Sequence, residues 1–402
     1  MSNLKPTLLF YCQHSIGMGH LTRSFALTQA LVQDFRVVFL NGGPFPPGLR
    51  SPTGVEIIDL PPLGMVDGHN LVSRDVRFDV EEAKRLRRDL VLTAFNQANP
   101  AVLLIELFPF GRKKFAFELL PLLKVACRRV RPPLVMSSVR DILVNARPDR
   151  QHHDDRARWI TDRYFDAVLV HSDPLFARLE ESFSPRTQLS VPVFHTGFVL
   201  PDRAQTRTVE RGKHVLVSAG GGMAGYPLFR AALDAHDVLW RDNKIPMRLV
   251  AGPFLPEEHW NELLRAGESR PALELIRSVP DLCWEMRQAA VSVSQCGYNT
   301  SMDILSSNVP AVVVPYAEGR EDEQLNRAER LADLGTLRLL HPNRLNGSAL
   351  VEAIRECLSF KPNSCKLDLD GAKNTASFIR QLTGIRDKHP RVEFAAVTQR
   401  AA

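Results

Sequence analysis

A histidine and a glutamate each follow a short apolar run in the first half of the chain, and both could do acid–base chemistry. His20 ends the stretch GMGH, which begins at Gly17, and Glu106 ends the run VLLIE. An unperturbed imidazole has a pKa of about 6.5, so His20 is the first candidate for a general base and Glu106 the second. Two alternatives stay open. His20 could instead orient a phosphate or cap a helix, and Glu106 could be a buried carboxylate paired with Arg112 or Arg140.

Glycine loops between a strand and a helix occur in both halves. The first contains Gly17 and Gly19, and the second, SAGGGMAG, contains Gly220 and Gly221. Backbone N–H groups in such loops can receive phosphate oxygens. The second loop is not a Walker loop, because no Gly-Lys-Ser/Thr follows it, and it does not fit the G-x-G-x-x-G fingerprint of dinucleotide sites.

The stretch SQCGYNTSMD carries the most specific pattern for a nucleotide ligand. A buried strand ends at Ser294, Gly297 turns the chain, and Asn299 or Thr300 caps a helix. The N-terminus of that helix can stabilise a diphosphate. Asp303 lies one turn further along, where it could accept from ribose hydroxyls.

The stretch PYAEGREDEQLNRA follows the next predicted strand and supplies polar partners for sugar hydroxyls. Because the carboxyl ends of parallel strands meet at one edge of a sheet, these side chains should lie near the diphosphate site. The four candidates are Glu318, Asp322, Glu323 and Gln324.

Together these motifs resemble the GT-B glycosyltransferases of family 28, most clearly over residues 214–340 and more weakly over residues 8–33. The resemblance implies that the first glycine loop faces the donor diphosphate, with His20 near the reacting centre. It implies that Gly220–Gly222 line the acceptor or phosphate region, and that the loop around Val279 holds the donor base through backbone groups. Asp303 stands where the family has Glu, and Glu323-Gln324 where it has a pair of Gln.

The function that this resemblance implies is inverting, metal-independent transfer of a sugar from a nucleotide sugar, with a UDP-sugar as the expected donor, to an acceptor hydroxyl. The nucleotide sugar is a substrate, so no cofactor is expected. No cluster of His, Cys or carboxylates has metal-ligand spacing, and Asp368-Leu369-Asp370 lacks the strand that should precede a metal-binding DxD. The stretch GMGHLTR also resembles a nucleotide-sugar hydrolase, so a hydrolase or epimerase of the same fold is the alternative. A non-catalytic sensor of nucleotide sugars is the third class.

The elements that must position these residues are strands that alternate with helices, once in each half of the chain. This pattern predicts an α/β protein of two doubly wound Rossmann-like domains facing each other across a cleft. The predicted boundaries are an acceptor-binding domain at 1–199, a linker at 200–213 and a nucleotide-sugar-binding domain at 214–365. A last helix at 366–390 should pack back on the first domain, followed by a loose tail at 391–402.

The net charge and the positions of the basic residues limit the classes of partner that this protein can bind. The 402 residues carry a net charge of +6, with basic clusters around Arg87, Lys113 and Arg129 in the first domain. These clusters suit either solvated helix faces or a peripheral contact with a membrane that carries a lipid-linked acceptor. Aromatic residues are not interleaved with them, which argues against nucleic acid. Six scattered cysteines and an N-terminus without a signal-peptide pattern favour the cytoplasm, with the inner membrane face as the alternative.

Overall fold

A computed structural model describes residues 5–14, 19–45, 49–66, 70–144, 149–201, 209–317, 322–364 and 366–388. In the first half, seven parallel strands form one sheet in the order β3-β2-β1-β6-β7-β8-β9, and β4 and β5 form an antiparallel hairpin. The strands are β1 Thr7–Cys12, β2 Arg36–Asn41, β3 Val55–Asp59, β4 Leu63–Val66, β5 Asn70–Ser73, β6 Val102–Glu106, β7 Leu134–Arg140, β8 Ala167–His171 and β9 Val193–His195. The helices are α1 Gly19–Leu31, α2 Val80–Ala98, α3 Ala116–Cys127, α4 Arg150–Tyr164 and α5 Leu179–Ser182. We call this unit the N-lobe.

The second half forms a six-stranded parallel sheet in the order β12-β11-β10-β13-β14-β15, which we call the C-lobe together with α6–α11. Its strands are β10 Val215–Ser218, β11 Met247–Val250, β12 Leu273–Ile276, β13 Val291–Ser294, β14 Ala311–Val313 and β15 Arg338–Leu339. Its helices are α6 Tyr226–Asn243, α7 Glu257–Gly267, α8 Leu282–Gln288, α9 Tyr298–Ser307, α10 Glu323–Asp333 and α11 Gly347–Leu358. The chain ends its described part with α12 Gly371–Lys388. Short 3₁₀ turns lie at Lys113–Phe115 and Pro342–Arg344.

The central strands are buried on both faces, as their sequences require. Residues Leu8–Cys12 have no exposed surface, and the same holds for Val102–Glu106. Strands covered by helices on both sides have near-continuous apolar runs, and these runs made both sheets predictable. The predicted α/β class with two doubly wound parallel sheets is confirmed.

The last helix lies against the N-lobe. Ala376 and Ile379 of α12 belong to the same buried cluster as Phe25 and Leu27 of α1. The domain boundaries remain a prediction. Linker residues 202–208 and the tail from 389 onwards lie outside the described residues.

The N-lobe departs from the sequence patterns in three places. The helical pattern over residues 174–181 forms only the short helix α5, and no apolar run predicts β9 or the β4–β5 hairpin. Arg87 does not lie on a solvated helix face. It is fully buried and bonds Glu118 through two nitrogens, at 2.6 and 2.9 Å. Its neighbours Arg85 and Arg88 are exposed. Among the described residues, none of the helices has the length and apolar character needed to span a bilayer.

Candidate functional site

His20 and Glu106 meet at the carboxyl edge of the N-lobe sheet. Strands β1 and β6 are parallel neighbours, so the segment after β1 and the last residue of β6 lie side by side. His20 is the second residue of α1, and its Nδ1–H donates to Glu106 Oε1 at 2.7 Å. Glu106 is fully buried, whereas the His20 side chain keeps 16% of its surface exposed. Gly17 lies outside the described residues.

Glu106 is ionised and held by cations. Arg23, also on α1, donates to the same Oε1 at 2.5 Å, and Arg112 Nε lies 4.0 Å from Oε2. Burial alone would raise the pKa of Glu106, but His20, Arg23 and Arg112 together lower that pKa to about 2. Of the two arginines considered from the sequence, Arg112 is the neighbour and Arg140 is engaged elsewhere.

The carboxylate fixes the tautomer of His20. An ionised carboxylate only accepts hydrogen bonds, so Nδ1 carries the proton and Nε2 is left as an acceptor. Burial lowers the pKa of His20 to about 3, although Glu106 acts in the opposite direction. A neutral imidazole with one nitrogen oriented by a carboxylate and the other open is the form that can take a proton from a hydroxyl.

The N-terminus of α9 faces the N-terminus of α1 across the two lobes. Asn299 Nδ2 donates to the carbonyl oxygen of Gly19 at 3.4 Å. The prediction that Asn299 or Thr300 caps this helix is wrong, because both lie inside α9 and Gly297 occupies the N-cap position. Gly297 has no side chain with which to satisfy the first-turn N–H groups. The adjoining Tyr298 hydroxyl donates to His171 O at 3.1 Å and accepts from Val199 N at 2.9 Å, which joins α9 to the N-lobe.

The second glycine loop lies beside α9. A Cβ placed on Gly220 would lie 3.7 Å from Thr300 Oγ1 of α9. Gly220 and Gly222 have φ of 55° and 90°, and a Cβ on Gly222 would come within 2.3 Å of Ala251 O. Gly221 O accepts from Phe254 N at 2.8 Å, which ties the loop to the segment after β11. Only glycine allows this close packing of backbones at Gly222.

Three more predicted donor residues lie in the C-lobe. Ser294 ends β13 and is fully buried, and its Oγ has no hydrogen-bond partner among the described atoms. Asp303 is buried on α9, one turn beyond Asn299. Val279 is half-buried in the loop between β12 and α8. Ser294 pairs with Ser218, the last residue of β10 before the second glycine loop. The ligand roles of all three residues stay predictions.

The pair Glu323-Gln324 opens α10, and each side chain has protein partners. Gln324 Oε1 accepts from Cys296 N at 3.0 Å and from Tyr316 N at 3.2 Å. The Glu323 carboxylate accepts from Arg140 at 2.5 Å and from Arg327 at 2.7 Å. Of the other sugar candidates, Asp322 is the N-cap residue of α10 and Glu318 lies outside the described residues.

Arg140 and Asp141 are adjacent in sequence, which suggests a local salt bridge, but the structure pairs each of them with another residue. Arg140 pairs with Glu323, and Asp141 pairs with Arg327 through both oxygens at 2.7 Å. Both partners lie in the C-lobe. Adjacent residues at a strand end point in opposite directions, so neighbours in sequence are poorly placed to pair.

Several polar residues prove to be structural. His171 is fully buried, with its ring nitrogens 2.8 Å from Ser138 Oγ and 2.9 Å from Thr196 Oγ1. Asp368 accepts from the backbone of Asp370 and from Asn374, so the DxD stretch stabilises the start of α12. Cys296 is buried, and burial raises the pKa of its thiol to about 11.

Sequence reasoning gave no role in the site to Tyr298 or Arg327, and it noted Arg23 only as part of the first motif. Arg23 lies three residues after His20, a spacing that places both on one face of α1. Arg327 lies four residues after Glu323 in the same way. The contacts of Tyr298 with the N-lobe have no local signal, because its partners are more than ninety residues away in sequence.

Comparison with known proteins gives one family match. Residues 227–382 match the glycosyltransferase family 28 C-terminal domain. Over 157 residues the chain is 25% identical to the UDP-N-acetylglucosamine--N-acetylmuramyl-(pentapeptide) pyrophosphoryl-undecaprenol N-acetylglucosamine transferase of Desulforamulus reducens. The alignment covers 38% of this chain and 42% of that enzyme, so less than half of the relative's length is matched. The predicted resemblance to family 28 is confirmed for the C-lobe.

Solved structures match over nearly the whole chain. The glycotransferase of kitacinnamycin has a TM-score of 0.57 at 18% identity, covering 94% of each chain. The UDP-GlcNAc 2-epimerase of Methanocaldococcus jannaschii has a TM-score of 0.59 at 12% identity, covering 95% of this chain and 100% of that one. At these identities the likeness shows the fold, which is the predicted GT-B arrangement. Because a transferase and an epimerase share this fold, the activity must be argued from the site.

Proposed function

We propose that this chain is a glycosyltransferase that moves a sugar from a UDP-sugar to an acceptor hydroxyl, with inversion and without a required metal. The observation that carries the proposal is the facing pair of sites. His20, oriented by Glu106, lies at the start of α1, and the open N-terminus of α9 is bridged to the same turn by Asn299. A base and an anion-binding helix end at one place suit nucleotide-sugar transfer. The family 28 match of the C-lobe supports the same class.

The reaction that this arrangement supports is a single displacement. The acceptor oxygen attacks the anomeric carbon while its proton passes to His20 Nε2. The bond from that carbon to the diphosphate oxygen breaks, and its electron pair leaves with the UDP. Glu106 remains ionised and stabilises the imidazolium that forms, as a carboxylate does beside a catalytic histidine. One displacement at the anomeric carbon inverts its configuration.

We assign the donor to the edge where α9 lies beside Gly19 of α1 and the second glycine loop. Backbone N–H groups from Gly19, Gly220, Gly221 and the first turn of α9 would take the diphosphate, with Ser294 and Thr300 beside them. Asp303 would accept from the ribose, and the backbone near Val279 would hold the base. Gln324 has its carbonyl oxygen engaged by two backbone N–H groups, so its amide group is the part available to sugar hydroxyls.

A lipid-linked acceptor at a membrane surface is the acceptor class that the N-lobe supports. The printed name of the Desulforamulus reducens relative describes transfer to a pyrophosphoryl-undecaprenol. On this chain, Val130 is fully exposed between the exposed cations Arg128 and Arg131 at the end of α3. Apolar and cationic side chains together favour an anionic bilayer surface. The protein should sediment with vesicles that contain anionic lipid and not with neutral vesicles. Equal sedimentation with both kinds of vesicle would contradict a membrane contact through this surface.

The test of the main proposal begins with ligand-induced stabilisation. UDP and UDP-sugars should raise the melting temperature more than adenine or guanine nucleotides, because only a ligand that binds the folded state stabilises it. The stabilising UDP-sugar is then incubated with candidate acceptors. A glycosylated product of inverted configuration is expected. Release of free sugar at full rate without an acceptor would favour the hydrolase, and a rearranged sugar with free UDP would favour the epimerase.

A further inference from the structure

Four charged residues join the two lobes at the donor edge, and we call them the inter-lobe clasp: Arg140, Asp141, Glu323 and Arg327. Arg327 of α10 donates to both oxygens of Asp141, at 2.7 Å each, and to Glu323 Oε1 at 2.7 Å. Arg140, at the end of β7, completes the set with a 2.5 Å contact to Glu323 Oε2. The clasp balances two positive against two negative charges.

The clasp is removed from water. Asp141 and Arg327 have no exposed side-chain surface, and Glu323 and Arg140 keep 7% and 18%. Burying charges is costly unless every charge is paired, and removing one partner leaves an uncompensated charge behind. The relative position of the lobes therefore depends on all four members being present.

The same residues fix the start of α9. Arg327 donates to Cys296 O at 2.9 Å, while Gln324, next to Glu323, accepts from Cys296 N at 3.0 Å. Side chains of α10 thus bind both the backbone N–H and the backbone C=O of Cys296. Cys296 immediately precedes Gly297, the N-cap of α9, so the clasp is continuous with the turn assigned to the diphosphate.

We infer that Glu323 is a positioning residue of the clasp and does not contact the donor sugar. Of the pair, only Gln324 contacts the sugar. The inference rests on the proposed function and departs from what the resemblance implies for Glu323. Both carboxylate oxygens are already engaged by arginines, one from each lobe, so a sugar hydroxyl would have to displace a charged partner. The clasp instead sets the distance between His20 on the N-lobe and α9 on the C-lobe.

The experiment is a double-mutant cycle of Arg140→Gln, Glu323→Gln and the double variant. Glu323→Gln also creates the Gln pair that the resemblance associates with the donor sugar, so it separates the two roles. Glu56→Gln is the matched control, because Glu56 of the edge strand β3 forms an exposed pair with Arg36 of β2. Each variant is measured for UDP affinity, turnover and KM of the stabilising UDP-sugar, urea unfolding, and radius of gyration by X-ray scattering.

The single variants should each lower turnover roughly tenfold and increase the radius of gyration, because lobe closure is weakened and the reacting groups are misplaced. UDP affinity should stay within about twofold of the wild type, since Arg327 still holds Asp141 and Cys296. The double variant should be no worse than either single variant, because neither charge is left unpaired. Glu56→Gln should match the wild type.

The inference fails if Glu323→Gln changes the KM or the preference among UDP-sugars while Arg140→Gln behaves like the wild type. It also fails if the effects of the two substitutions on unfolding are additive. If the wild-type protein does not bind UDP, the proposed function is wrong. The double-mutant cycle measured by urea unfolding and X-ray scattering would still show whether Arg140 and Glu323 are coupled.

Discussion

At the scale of single residues, the site depends on a histidine that stays neutral. Burial lowers the pKa of His20 to about 3, and contacts with His20, Arg23 and Arg112 lower the pKa of Glu106 to about 2. An unfolded histidine binds a proton near a pKa of about 6.5, so folding loses stability as the pH falls from that value toward 3. The stability that Glu106 contributes is present above its unfolded pKa and is lost as the pH falls toward 2. Both effects place the loss on the acid side.

Glu106→Gln should lower turnover by about 10²-fold, because the amide no longer fixes the tautomer of His20 or stabilises the imidazolium. His20→Ala should lower it at least as much, and the double variant should be no slower than His20→Ala. UDP affinity, measured by calorimetry, should change little in either single variant. Turnover near that of the wild type in His20→Ala would remove its role as the base.

Asp303 offers a separate test of the nucleotide. Asp303→Ala should raise the KM of the UDP-sugar roughly tenfold, which corresponds to losing one hydrogen bond of about 1–1.5 kcal/mol to a ribose hydroxyl. The wild type should also discriminate against 2′-deoxy or 3′-deoxy analogues of UDP, and the variant should lose that discrimination. If the variant still discriminates as the wild type does, the ribose is bound elsewhere.

At the scale of elements, patterns of apolar residues predict those strands and helices that need a regular apolar run to be buried. The buried strands β1, β6 and β13 have runs that only a covered parallel sheet requires, and each was predicted. The short edge strand β9 has three half-buried residues and no such run. The helix expected from Pro174 fails because its first residues form a turn around Asp173, whose side chain accepts from Leu175 N.

The loop between β10 and α6 is the element whose conformation can be tested most directly. Gly222→Ala should destabilise the protein by about 2–4 kcal/mol, since it combines a positive φ with a Cβ that would meet Ala251 O. Gly54→Ala is the matched control, because Gly54 has φ 80° and open space around its Cβ position. That variant should lose only about 1–2 kcal/mol. Equal losses in urea unfolding would mean that the close approach at Gly222 contributes nothing.

At the scale of the whole molecule, the sequence predicted two lobes but not how they meet. Glu106 could be picked out as a candidate because it ends a buried strand, whereas its partners His20 and Arg23 come from a helix more than eighty residues earlier. The bond between Asp141 and Arg327 spans 186 residues. Contacts at such separations have no period or spacing to reveal them, so the inter-lobe clasp and the role of Tyr298 became visible only in the assembled structure.

The way in which the two lobes meet predicts that the reaction needs no metal ion. Two helix N-termini, those of α1 and α9, approach each other where the leaving diphosphate is proposed to lie, and Arg23 lies buried beneath them. Fixed dipoles and a buried guanidinium can stabilise developing negative charge without a cation. Dialysis against EDTA should therefore leave the kcat of the UDP-sugar reaction within about twofold of its value in magnesium. Complete loss on EDTA treatment, with recovery when magnesium is restored, would mean that the helix ends do not suffice and that a cation bridges the diphosphate.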